Sequence, residues 1–214
     1  GYKEYKCMEV SDNDCLDCKR LVTVRKENSI KFPTYYNRPV LSDGYEKTNF
    51  LIVGLAPGLH GANATGLPFD GDFAGRFLKQ CLEENGFRLQ RERKSGAINY
   101  CITNAVKCFP PLNRPLQSEI NNCLKYLMKE ISVIQPNFIL CLGAVAHNSV
   151  MRACKEDIFV KFQHGNSFRI GQRVIFDSYH PSKRNISTKR LTREMFRIIL
   201  KKIIKGIEKV TASE

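Results

Sequence analysis

The chain has no apolar run long enough to cross a membrane; its longest hydrophobic stretches are strand-length. Its first residues, GYKEYKCMEV, lack the apolar core of a secretory leader. Both absences predict a cytoplasmic protein with no membrane association. There is no internal repeat and no low-complexity tract, so solenoids and tethers are excluded. Acidic residues are few: 21, against 34 Lys plus Arg, for a net charge of +13. That imbalance favours a polyanionic partner such as nucleic acid. A merely solvated basic surface is the plainer reading, but basic clusters at 88–94 and 183–193 raise the odds of a partner. The cysteines number nine, an odd set, so a complete internal disulfide framework is excluded as well.

What is present begins with those cysteines. Cys15 and Cys18 form a C-x2-C pair, and Cys108 and Cys123 a distant C-x14-C pair. Four thiolates from such separated segments converge only in a folded chain. A metal centre there would pin the N-terminal arm onto the middle of the domain, and spacing alone suits zinc or iron–sulfur equally. Cys7, Cys81, Cys101, Cys141 and Cys154 then remain. Cys141, inside FILCLG, reads as a buried small hydrophobe, and a disulfide among the others stays open.

The length, 214 residues, suits one domain over 1–214 with a full core. Strand and helix alternate. Residues 49–55 (NFLIVGL) form a buried strand running into a Gly-Pro loop. A helix over 72–85 is stopped by Gly86, and 99–104 is a short strand. Pro110 and Pro111 break the chain, and Ser118 offers an N-cap for a helix to about 132. Residues 138–142 form a second buried strand, with a helix after Gly143 to about Cys154. Residues 173–178 form another strand, ending at Tyr179-His180-Pro181-Ser182. The last helix begins near Thr192 and carries an apolar stripe: Phe196, Ile199, Leu200, Ile203 and Ile207. This alternation predicts a parallel sheet covered on both faces, with ligands beyond the C-terminal strand ends.

Two loops there carry chemistry. In GLAPGLHGANATG, Gly54 and Gly58 allow close backbone approach and Pro57 stiffens the turn. His60, Asn63 and Thr65 add polar groups. The Gly-Lys-Ser/Thr ending of a P-loop is absent. In the second loop, His180 follows a buried strand, Pro181 fixes its backbone, and Lys183, Arg184 and Asn185 come next. A histidine so held suits an anionic leaving group or a phosphate.

Together, GLAPGLHGANATGLPFDGDFAGRFL, ITNAVKCFPPLN and SYHPSKRNISTKRLTREMF resemble the uracil-DNA glycosylases, in particular the iron–sulfur family 5, or type b, branch of prokaryotes. CLDCKRLVTVRKE is similar to that branch's cluster-binding segment, and TYYNRPV to the stretch before its first strand. The resemblance implies a three-layer α/β/α sandwich around a four-stranded parallel sheet. It implies a four-iron, four-sulfur (4Fe-4S) cluster on Cys15, Cys18, Cys108 and Cys123. It also implies a monomeric, nucleoid-associated DNA repair enzyme that removes uracil, and other deaminated bases such as hypoxanthine, from DNA.

The resemblance carries over to single residues. Phe69 holds the position of the stacking ring, with a core Phe as the plainer reading. His180 is the donor to the leaving base. Gly54, Ala56, Pro57, Gly58 and His60 contact base and water. Position 55 is Leu, where several other glycosylase families carry a water-activating polar residue, which shifts that role to Asp72 and Asn63; Asp72 could equally be a helix N-cap. Asn104 stands where type b enzymes commonly have a small residue and the uracil-specific iron–sulfur branch has Asn, and its amide could read uracil's edge. Ser182, Lys183, Arg184, Asn185, Arg190 and Arg193 face the DNA backbone. No Lys stands out as a Schiff-base nucleophile, so the reaction is monofunctional. A non-catalytic iron–sulfur nucleic-acid-binding protein on the same scaffold is the alternative, and an iron–sulfur electron carrier a more distant one.

Overall fold

The computed structural model describes residues 14–154 and 158–213. In chain order the elements are α1 (Lys19–Lys31), β1 (Phe50–Gly54), α2 (Ala62–Thr65), α3 (Phe73–Glu84), β2 (Phe87–Leu89), β3 (Ile98–Asn104), α4 (Gln117–Ile134), β4 (Phe138–Leu142), α5 (Ala144–Ala153), β5 (Ser167–Ile170), β6 (Arg173–Ser178), α6 (Lys183–Ser187) and α7 (Arg193–Thr211).

The strands form one sheet in the order β2-β3-β1-β4-β6-β5. All neighbours are parallel except β5, which runs antiparallel to β6. The expected four-stranded sheet is therefore six-stranded. Its four central strands are those legible in the sequence, because a strand covered on both faces reads as a continuous apolar run. Every residue of β1 and β4 is buried. The edge strands carry no such signal: β2 has three residues, and β5 has two exposed positions among four.

Helices cover both faces, as a three-layer α/β/α sandwich requires. Phe77, Leu78 and Leu82 of α3 and Phe196, Ile199, Leu200 and Ile203 of α7 pack with Phe50, Ile52, Ile102 and Leu140 on one face. Leu127, Ile131 and Ile134 of α4 and Ala146 and Val150 of α5 pack with Leu51, Val53, Ile139 and Cys141 on the other. A third apolar cluster joins Leu21 of α1 to Ile120, Cys123 and Tyr126 of α4.

Helix starts follow their caps. Thr192 Oγ1 accepts the Met195 N–H at 3.2 Å and opens α7 where expected. Ser118 does not cap α4. The helix begins two residues earlier, with Leu116 at the cap position and the Glu119 carboxylate accepting the Leu116 N–H at 2.7 Å. Helix α1 was not legible because it buries only Leu21 and Asn28, too few to mark a face. Among the described residues no helix is long and apolar enough to cross a membrane.

Candidate active site

The parallel register sets Gly54, the last residue of β1, beside Asn104, the last of β3. A Cβ on Gly54 would fall 2.3 Å from the Phe69 ring and 2.5 Å from Asn104 Oδ1. Only glycine lets ring and amide meet over this strand end. Phe69 holds φ +53°, a left-handed conformation uncommon outside glycine, and its ring centroid lies 5.8 Å from that of His180. Asn104 is 2% exposed, and its Oδ1 has no hydrogen-bond partner among the described residues. A buried orphan acceptor is costly in the free protein and calls for a partner from elsewhere.

His180 follows β6. The residue as a whole is partly exposed, yet its imidazole sits among protein atoms, and the loss of hydration pushes its pKa down to about 4. The ring is therefore neutral at physiological pH and keeps one N–H to donate. Asn185 Nδ2 donates to the His180 carbonyl at 2.9 Å and fixes the turn. Ser182 caps α6, its Oγ accepting the Asn185 N–H at 3.2 Å. Lys183, Arg184 and Arg190 stand exposed beside it, with the Arg190 guanidinium 4.6 Å from the centre of the Tyr179 ring. Arg193 instead pairs with Glu84 at 3.1 Å and donates to Gln80 at 2.7 Å, so its contacts are those of an α3–α7 tie.

The loop after β1 closes on Asp72. One carboxylate oxygen accepts the Gly75 N–H at 2.9 Å and caps α3. The other lies against the loop: Cβ atoms on Gly58 or Gly61 would approach it to 2.9 and 2.4 Å. Capping and facing the loop are thus properties of one side chain. Half-buried Gly58 borders this carboxylate, while Ala56 is half-buried and Pro57 buried. Asn63, 1% exposed, donates to Asn37 Oδ1 at 2.9 Å, so its amide nitrogen ties α2 to the preceding segment. His60 is exposed, and its Nδ1 lies 2.9 Å from the Tyr35 hydroxyl. Phe32 and Tyr35 stack at 4.9 Å, with His60 edge-on to both. Sequence reasoning missed these two rings as site neighbours. Tyr35 lies in TYYNRPV, which has neither strand nor helix period, and Phe32 stands two residues before that stretch.

Cys15, Cys18, Cys108 and Cys123 line one small apolar cavity between α1 and α4. Three N–H donors face the sulfurs: Asn122 Nδ2 to Cys18 at 3.4 Å, Lys107 N to Cys123 at 3.4 Å, and Arg25 to Cys108 at 3.9 Å. Burial pushes the Cys108 thiol up to about 12 and the Cys123 thiol to about 11, and the nearby sulfurs add to both shifts. Among the described residues no three Cys, His, Asp or Glu side chains stand close enough to hold a single metal ion. Of the remaining cysteines, Cys81, Cys101 and Cys141 are buried free thiols, and Cys7 lies outside the described residues.

An orphan amide oxygen, an aromatic ring and a neutral imidazole thus meet at the C-terminal edge of a parallel sheet. The sequence model of the Uracil DNA glycosylase superfamily matches residues 41–204. The chain is 34% identical to a type-5 uracil-DNA glycosylase of Pyrobaculum aerophilum, over 88% of this chain and 87% of that one. It is 34% identical to a type-5 uracil-DNA glycosylase of Thermus thermophilus, over 87% and 90%. Against a type-4 uracil-DNA glycosylase of Thermotoga maritima the identity is 31%, over 87% and 91%. The chain belongs to the uracil DNA glycosylase superfamily.

Proposed function

We propose that this protein is a monofunctional DNA glycosylase that hydrolyses the N-glycosidic bond of uracil in DNA and so starts base excision repair. The observation that carries this reading is the unpartnered Asn104 Oδ1 beside Phe69 and a neutral His180, in a chain similar to type-5 and type-4 uracil-DNA glycosylases. The target base leaves the duplex stack, because its glycosidic bond is out of reach inside it. Phe69 stacks on the base, and the Asn104 amide reads its edge, the orphan oxygen meeting a ring N–H. As the bond breaks, negative charge grows on the base and positive charge on the sugar. The His180 N–H stabilises the first, since the neutral imidazole keeps one N–H to donate. The free oxygen of Asp72 orients the attacking water and stabilises the second. The Ala56 and Gly58 backbone completes the loop around that water, Asn63 holds the loop's shape through Asn37, and His60 borders the base site. Ser182, Lys183, Arg184, Asn185 and Arg190 hold the phosphates.

Cys15, Cys18, Cys108 and Cys123 would hold a four-iron, four-sulfur cluster. Thiols ringing a cavity, with N–H donors aimed at sulfur, suit a polynuclear cluster better than one tetrahedral ion with Zn–S bonds of about 2.3 Å. Bound there, the cluster would supply a covalent tie between the α1 arm and the 108–123 segment. The proposal includes a monomer at work on the nucleoid in the cytoplasm, folded as one domain. Breadth toward hypoxanthine is part of the proposal. The test is base release from oligonucleotides carrying uracil, hypoxanthine or xanthine, single- and double-stranded. Free uracil with an intact abasic strand is expected. DNA binding without release of any base would mark a non-catalytic binding protein on the same scaffold.

A further inference from the structure

Behind Asn104 lies an ion pair that the proposed chemistry does not use. Lys107 and Glu130 are 1% and 0% exposed, and the ammonium sits directly on the carboxylate. Lys107 Nζ also donates to Thr103 Oγ1 at 2.7 Å and to the main-chain carbonyl of Asn104 at 2.6 Å. All three ammonium protons are thereby placed. The Thr103 hydroxyl donates to Glu130 at 3.0 Å, and the Ser42 N–H donates to the other carboxylate oxygen at 2.7 Å. The network is closed by protein groups alone, all of them buried.

Two charges taken out of water are expensive, and apolar residues of similar volume often serve stability as well or better. Stability alone does not account for this pair. What apolar residues could not do is grip a backbone carbonyl at the point where β3 leaves the sheet. That carbonyl belongs to Asn104, whose side-chain Oδ1 stays unpartnered over the end of β1 at Gly54. The Lys107 backbone is itself clamped: its N–H on Cys123 Sγ, its carbonyl accepting the Val40 N–H at 2.7 Å.

We propose that Lys107 and Glu130 are positioning residues that lock the Asn104 backbone and thereby aim its amide at the base. This rests on the reading of Asn104 as the base-reading residue. The test is a mutant cycle read by single-turnover uracil release: wild type, Asn104→Ala, the paired Lys107→Met with Glu130→Gln, and the triple variant. The paired change removes both charges and leaves no lone buried ion. Uracil release by the paired variant should fall about a hundredfold, the loss a small misplacement of a reacting geometry produces. Affinity for a non-hydrolysable uracil analogue in DNA should fall with it, while affinity for abasic DNA holds, a split that a merely structural role would not give. The triple variant should be no slower than Asn104→Ala alone, because one interaction is lost once. Should the paired variant fail to fold, Thr103→Val, with an expected loss of about tenfold, carries the same cycle. Multiplying losses, or wild-type rates in the paired variant, would overturn the positioning role and leave Asn104's own role standing. Wild-type rates in Asn104→Ala would instead overturn the base-reading itself.

Discussion

His180 and Asp72 are single residues whose roles follow from what surrounds them. Desolvation holds the imidazole neutral, so His180→Ala should cut base release by roughly a hundredfold or more, the usual loss for one preorganised donor. Iron content and DNA affinity should hardly change. The same burial has a pH signature. The folded pKa, about 4, lies below the ordinary 6.5. Between those values the unfolded chain binds more protons, so the group's contribution to stability is full above 6.5 and is lost as pH falls toward 4. Across that window the melting temperature of wild type should fall relative to that of His180→Phe as the pH drops, and a constant difference would show that His180 is not held neutral by burial. For Asp72, the two oxygens separate two roles. Asn caps a helix about as well as Asp, so Asp72→Asn should keep its melting temperature. Its rate should drop about a hundredfold if the second oxygen orients water; unchanged turnover would reduce Asp72 to a cap.

At the scale of elements, α1 is held by its contacts to α4 rather than by a greasy face of its own. Arg20 bonds Glu119 at 2.6 Å, Lys125 pairs with Asp17, and both pairs flank the cysteine cavity. A cluster bridging these segments would explain why so polar a helix docks at all. The purified protein should therefore be brown with about four irons per chain. Cys108→Ala or Cys123→Ala should lose iron and melting temperature together. Stoichiometric zinc in fully active, anaerobically prepared protein would discard the iron–sulfur assignment. The short α6 makes the opposite case: it buries nothing, and its exposed Lys183 and Arg184 are placed only by the Ser182 cap and the His180 turn. Neutralising both should weaken DNA binding and flatten the slope of log affinity against log salt by about two.

Over the whole molecule, three glycosylase-like segments from separate parts of the chain reach one sheet edge because the central strands are parallel. β1, β3 and β6 all end there, bringing Gly54, Asn104 and the His180 turn together. The net charge of +13 acts at this same scale, by long-range attraction to phosphate that salt screens.

The sequence by itself determined the alternation of buried strands and amphipathic helices, the loops that carry the chemistry, and the four cysteines as a set. Strands, helices and loops are written as local patterns: apolar runs, a stripe at helical spacing, Gly and Pro at a strand end; the cysteines are legible only as two spaced pairs. Tertiary structure alone decided the rest. Edge strands β2 and β5 exist by pairing with neighbours, not by any period of their own. Arg193 turned to Glu84 and Gln80 on the surface, and Asn63 to buried Asn37, because partners distant in sequence lay within reach. Lys107 reads as one basic residue in NAVKC, yet it is fully buried on Glu130, 23 positions away. Burial and orphaned polarity arise only when segments meet, and in this protein the candidate site is built from both.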